Sequence, residues 1–247
     1  MQKWVQGRVV ELHCWTDRLY SIRVEAEIEP FEAGQLGRLA LDIDGKRHSR
    51  PYSFVNAPHE PILEFYFITV PDGPLSARLA RMKAGDCVWV APRPAGVFTL
   101  SHVPDASTLW LLSTGTALGP FLSMMNTELP WQRFDKVVFV HAVRHDVERS
   151  YGEVIARLCE QHADQLISIP FVSRETIEGT IHGRVPAAIE SGELETCAGL
   201  KIDVHTSQVM ICGNPAMVKD TAAVLVARGM HKNSRQEAGH YTVENYW

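Results

Sequence analysis

Trp110-Leu-Leu-Ser-Thr-Gly-Thr-Ala-Leu-Gly-Pro-Phe121 decides how the rest of the chain reads. It opens as a short apolar run, passes through a glycine-containing turn, and continues as a helical pattern (Phe121, Leu122, Met124, Met125, Leu129). Strand, glycine turn, helix is the arrangement that sets free backbone N–H groups against a phosphate at a helix N-terminus. Gly115 permits close backbone approach, and Pro120 suits a first helical turn because it has no N–H to leave unpaired. The spacing is not G-x-G-x-x-G, since Ala117 stands where a second glycine would be. From this stretch alone, an ordinary strand-to-helix connection and a nucleotide loop are about equally good readings.

Outward toward the C-terminus, apolar strands alternate with helices. Strands are expected at 109–112, 136–143, 166–172 and 209–212, with helices at 117–129, 151–163, 186–194 and 215–228. Pro170 pushes the third strand toward an edge or a bulge. The tail from Gly239 again has a strand pattern. This alternation implies a five-stranded parallel sheet with helices on both faces.

Toward the N-terminus the pattern is different. Short strands follow one another with hairpin signals, among them Asp44-Gly45, and only one short helix, about 75–82, interrupts them. That is the pattern of a small antiparallel β-barrel. Pro92, Pro94, Gly96 and Pro104 place a boundary near residue 100, so the domains expected are 1–101 and 102–247.

Composition narrows the function. The chain has 247 residues, 45% hydrophobic and 21% charged, an ordinary globular balance. No apolar run approaches the ~20 residues of a membrane span. The first residues lack a signal-peptide core, which sets a cytoplasmic expectation. Five scattered cysteines without a C-x-x-C pair argue against a disulfide framework, a metal site or an iron–sulfur cluster. A net charge of −5 and the lack of a basic run give no sign of nucleic-acid binding, and a monomer is the default.

Several groups carry chemistry. In Arg50-Pro51-Tyr52-Ser53, Arg50 could hold a phosphate, Tyr52 could lie on a flat ring, and Ser53 could bond a polar ring edge. A half-buried strand with one surface arginine is the plainer account of those four residues. Tyr66-Phe67-Ile68-Thr69 could be cross-strand packing alone, and Gly73-Pro74-Leu75-Ser76 an ordinary helix start. Arg144 and Arg174 each follow an apolar strand, at the edge where α/β sheets bind ligands. Ser173, Arg174 and Arg184 offer a hydroxyl and two planar forks to a phosphate monoester, whereas Arg144 is as readily a surface charge. Cys212 reads as a small buried residue.

In order along the chain, Arg50-x-Tyr-Ser53, Gly73-x-x-Ser76, Thr114-Gly-Thr-x-x-x-Pro120, Cys212-Gly-Asn-Pro215 and a terminal aromatic resemble the ferredoxin–NADP reductase family. The likeness is to its short bacterial branch serving ferredoxin or flavodoxin, and it covers essentially the whole chain. It implies an FAD enzyme moving electrons between NADPH and those carriers. It further implies that Arg50, Pro51, Tyr52, Ser53, Tyr66, Phe67, Ile68, Thr69, Pro74, Leu75, Ser76 and Thr116 hold FAD, with Tyr246 over the flavin and Trp247 against its adenine. Val143, Arg144, Ser173, Arg174, Arg184, Gly213 and Asn214 would hold NADP(H). Ser53, Cys212, Glu244 and Tyr246 would tune and gate hydride transfer, and no metal is implied. The alternatives are a reductase of the same fold serving free flavin, a haem protein or an oxygenase, or an electron-transfer subunit without its own turnover.

Overall fold

A computed structural model describes residues 3–71, 73–234 and 236–246. The chain divides into two compact units, Met1–Thr99 with Gly119–Thr127, and Leu100–Leu118 with Glu128–Trp247.

The first unit is built on six antiparallel strands: β1 (Val5–Cys14), β2 (Leu19–Glu25), β3 (Leu36–Ile43), β4 (Lys46–Ser53), β5 (Leu63–Ile68) and β6 (Cys87–Val90). Their order is β4-β3-β6-β1-β2-β5. An antiparallel bridge between Phe54 and Phe65 joins the two outer strands, so the sheet closes into a barrel and leaves few open edges. Asp44 and Gly45 both take positive φ, 50° and 75°, as the tight turn between β3 and β4 requires. Leu63, Phe65 and Phe67 alternate into the barrel core beside Val9, Ile22, Leu39 and Phe54. The short helix α1 (Pro74–Leu79) plugs this core with Leu75 and Leu79.

The second unit has six parallel strands rather than the five expected: β7 (Thr108–Thr114), β8 (Lys136–Val143), β9 (Leu166–Val172), β10 (Ile181–His182), β11 (Ser207–Gly213) and β12 (Tyr241–Asn245). Their order is β10-β9-β8-β7-β11-β12. The extra strand, β10, is two residues long, too short to carry a periodic signal. It pairs only with Phe171 and Val172, so β9 is an edge strand at Pro170, which explains how a proline is accommodated there.

Helices α2 (Leu118–Met125), α3 (Leu129–Arg133), α4 (Gly152–Gln161), α5 (Val185–Ser191), α6 (Glu193–Ala198) and α7 (Pro215–Ala227) complete the chain. Two expected helices are each broken in two. The run 117–129 ends at Met125 and restarts with Pro130 in the first turn of α3. The run 186–194 breaks at Gly192, whose φ of 79° ends α5. Most of α2 groups with the first unit. Ser123 Oγ donates to the Asn56 carbonyl at 2.7 Å, and Phe121 packs on Phe98 with ring centres 5.6 Å apart. Among the described residues no helix is long and apolar enough to cross a membrane.

Strand order in the second unit reverses at β7. The chain runs outward through β8, β9 and β10, then returns to place β11 on the other side of β7. Open α/β sheets bind ligands at the carboxyl ends of the two strands flanking such a reversal. Here those ends are Thr114 and Gly213.

Candidate functional site

On the first unit, β4 presents Arg50, Pro51, Tyr52 and Ser53. It pairs along its length only with β3, so the missing N–H of Pro51 breaks no inner ladder. Arg50 is exposed, and its Nη1 donates to the Ser49 carbonyl at 2.8 Å. Burial pushes the Tyr52 phenol up to about 12, so its hydroxyl stays protonated. Ser53 Oγ is buried with no hydrogen-bond partner. An unpaired buried hydroxyl costs about 1–3 kcal/mol. Its presence at the end of Arg50-Pro-Tyr-Ser fits a ligand whose polar edge completes it.

The other residues expected on this side divide into two sets. Tyr66 and Phe67 are both buried, but Phe67 belongs to the barrel core beside Phe54 and Phe65, so its side chain is committed to packing. Leu75 is likewise a core residue. Ser76 Oγ accepts from the Val70 amide at 3.0 Å, which fixes the turn before α1. What this segment offers a ligand is backbone rather than side chain. Trp247 lies outside the described residues.

On the second unit, the chain leaves β7 at Thr114 and turns through Gly115, whose φ is 55°. Thr116 is buried there. His141, a residue the sequence did not single out, lies under this turn. It is 4% exposed, and its Nε2 lies 3.1 Å from the Gly115 carbonyl. A carbonyl only accepts, so Nε2 carries the proton. Burial lowers the imidazole to about 4 and keeps it neutral. The one available signal is a lone histidine inside an otherwise apolar strand.

Across the strand reversal, β11 is buried from end to end and finishes at Cys212-Gly213. Cys212 pairs in register with Ser113 on β7 and Glu244 on β12. Burial, with the nearby Glu244 charge adding to it, raises the thiol well above its ordinary value, so Cys212 is a thiol and not a nucleophilic thiolate. Gly213 has a φ of 152°, and the Asn214 amide donates to Thr114 Oγ1 at 3.1 Å. Asn214 Oδ1 accepts from the Ala216 amide at 2.9 Å and caps α7. The Tyr246 amide donates to the Gly213 carbonyl at 2.9 Å, which fastens the end of the chain to this loop.

Glu244 Oε2 is buried without a partner, and burial raises its carboxyl to about 7 from an ordinary 4.5. Between those values the folded chain holds a proton that the unfolded chain has released. Stability contributed by this group is therefore lost as pH rises from about 4.5 to about 7, and the loss is complete above that. The loss is at most about 3 kcal/mol, and less where solvent reaches the carboxyl. Glu244→Gln should flatten this part of the profile, read as the urea midpoint between about pH 5 and 8. A slope identical to that of the parent chain would contradict the buried-acid assignment.

Three loops at the carboxyl edge carry the arginines. Arg144 follows β8, Ser173 and Arg174 follow β9, and Arg184 stands at the N-terminus of α5. All three guanidinium groups are exposed, and none forms an ion pair among the described residues. The Ser173 amide donates to the Val143 carbonyl at 3.0 Å, and the Arg174 amide to the Arg144 carbonyl at 2.9 Å. Unpaired guanidinium groups on adjacent loops suit a phosphate monoester. Among the described residues no cluster of His, Cys, Asp or Glu has the makings of a metal site.

Comparison with known proteins sharpens the assignment. Residues 111–223 match the model of the oxidoreductase NAD-binding domain family. A flavodoxin/ferredoxin–NADP reductase of Shigella flexneri is 49% identical, with all of both chains covered. The ferredoxin–NADP reductase of Pseudomonas aeruginosa is 35% identical over 96% of this chain and 95% of its own. Among solved structures, a ferredoxin NADP+ reductase from Neisseria gonorrhoeae with bound FAD and NADP superimposes with a TM-score of 0.93. It shares 28% identity and covers all of both chains.

Proposed function

This chain belongs to the flavodoxin/ferredoxin–NADP reductase family, and from that premise we propose that it is an FAD enzyme moving electrons between NADPH and a ferredoxin or flavodoxin. The observation that carries the reading is the pairing of two features. Ser53 Oγ is an orphaned buried hydroxyl at the end of Arg50-Pro-Tyr-Ser, and three unpaired guanidinium groups stand on the edge of the parallel sheet. The first fits a flavin and the second fits a 2′-phosphate.

Residues 1–101 hold FAD in this account, and residues 102–247 hold NADP(H). Arg50 binds the pyrophosphate, and Pro51 and Tyr52 face the ring system. Ser53 donates to a polar ring edge. Backbone groups of Tyr66 to Thr69 and of Pro74 to Ser76 follow the rest of the cofactor. Arg144, Ser173, Arg174 and Arg184 grip the adenosine 2′-phosphate, Val143 lines the same NADP(H) site, and Gly213 and Asn214 seat the nicotinamide end. FAD, when bound, supplies the exchange between a two-electron hydride and single electrons that neither nicotinamide nor a ferredoxin can perform alone.

The protein's own work is positioning, with no acid–base triad required. Cys212, fully buried just before Gly213, keeps a small neutral side chain at this edge. Glu244, about half protonated at neutrality, can offer a hydrogen-bond donor. Tyr246, fastened through its amide to Gly213, covers a ring face and gates access to it. The chain acts as a monomer in the cytoplasm. Steady-state turnover with NADPH tests this: rapid reduction of ferredoxin or flavodoxin is expected, and reduction of free flavin or haem proteins alone would overturn it.

A further inference from the structure

The three arginine loops are not held by the sheet alone. Glu175, next to Arg174, ties all of them together. One carboxylate oxygen accepts from the Asp146 amide at 2.7 Å, and the other lies 3.2 Å from His145 Nδ1. Both partners lie in the loop after β8 that begins at Arg144. The backbone carbonyl of Glu175 accepts from His182 Nδ1 at 2.9 Å, two residues before Arg184. One residue thus joins the loops following β8 and β9 to the end of β10.

The charges are arranged in an unusual way. A carboxylate beside exposed arginines ordinarily pairs with one of them. Glu175 instead spends its two oxygens on an amide and an imidazole, and the amide bond, with His145 adding to it, holds its carboxyl below the usual range. Glu148 behaves alike, accepting from the Arg144 amide at 2.9 Å and the His145 amide at 3.2 Å. Two acids therefore organise the backbone and leave three guanidinium groups unneutralised.

We propose that Glu175 is a positioning residue whose carboxylate locks the loops bearing Arg144 and Arg174 into the arrangement gripping the 2′-phosphate, and so sets the preference for NADPH over NADH. This rests on the assignment of those arginines above. Glu175 touches no part of the nucleotide; it acts through its neighbours.

The test measures KM and kcat for NADPH and for NADH with ferricyanide as electron acceptor, in the FAD-loaded enzyme. Glu175→Ala should raise KM for NADPH about tenfold, the loss expected from charge-assisted hydrogen bonds, with KM for NADH and kcat little changed. Glu175→Gln keeps an acceptor for the Asp146 amide and should recover most of the loss. Glu175→Asp keeps the charge but shortens the reach, and carries the test if the alanine variant fails to fold. Arg174→Ala is measured alongside. If it shifts the cofactor ratio while neither Glu175→Ala nor Glu175→Asp does, or if these raise both KM values equally, the positioning role is overturned. If Arg174→Ala leaves the ratio unmoved, the phosphate site and the role of Glu175 fall together.

Discussion

Arg174→Ala is expected to raise KM for NADPH by roughly 10- to 100-fold while KM for NADH stays within about twofold. The two nucleotides differ only in the 2′-phosphate, so the ratio isolates one contact. Arg174 is exposed, and among the described residues its guanidinium has no carboxylate partner to release. Removing it should therefore cost binding without unpairing a buried charge. Arg174→Lys should fall in between, since an ammonium keeps the charge and loses the planar fork. Equal changes for both nucleotides would show that Arg174 does not read the phosphate.

Gly213→Ala should cost about 2–4 kcal/mol of stability and lower kcat about a hundredfold. A Cβ at this position would lie far inside contact distance of Thr114 Oγ1, and 3.0 Å from Met217 Cε. The φ of 152° adds strain for any side chain. The hydroxyl cannot simply swing away, because it accepts the Asn214 amide. Relief must come from moving Cys212, Gly213 and Asn214 together, the segment proposed to seat the nicotinamide. The double variant Gly213→Ala/Thr114→Ala removes the worst contact and should recover part of the lost stability, read by urea unfolding. A fully active and stable single variant would contradict this packing.

The architecture was largely legible because its signals are local and repeated. Alternation marks the barrel strands, Asp44-Gly45 marks a hairpin, and apolar runs between helices mark the parallel sheet. What escaped depended on contacts between distant residues. Strand β10 has two residues and exists only because Phe171 and Val172 offer it an edge. The grouping of α2 with the first unit depends on Ser123 reaching Asn56, 67 positions away.

The candidate site shows the same division. Arg50, Ser53 and Cys212 stood out because their motifs occur in order along the chain, and Arg174 because it follows an apolar strand at the ligand-binding edge. For Phe67 the sequence left packing and ligand contact both open, since alternation does not say which face of a strand meets a ligand, and for Leu75 a helix start does not say whether its side chain points into the core. His141 gave only a polar interruption in β8, and its partner, the Gly115 carbonyl, is a backbone atom that no residue type reveals. Glu175 was hidden for the same reason, as its partners include a backbone amide on another loop.

Anaerobic titration of the purified protein with NADPH, followed by visible absorption, tests the account most directly. The chain should be yellow, release FAD on denaturation, and lose its visible absorption on adding about one equivalent of NADPH per flavin. A colourless protein that takes up no FAD when supplied with it, and leaves NADPH unoxidised, would contradict the account.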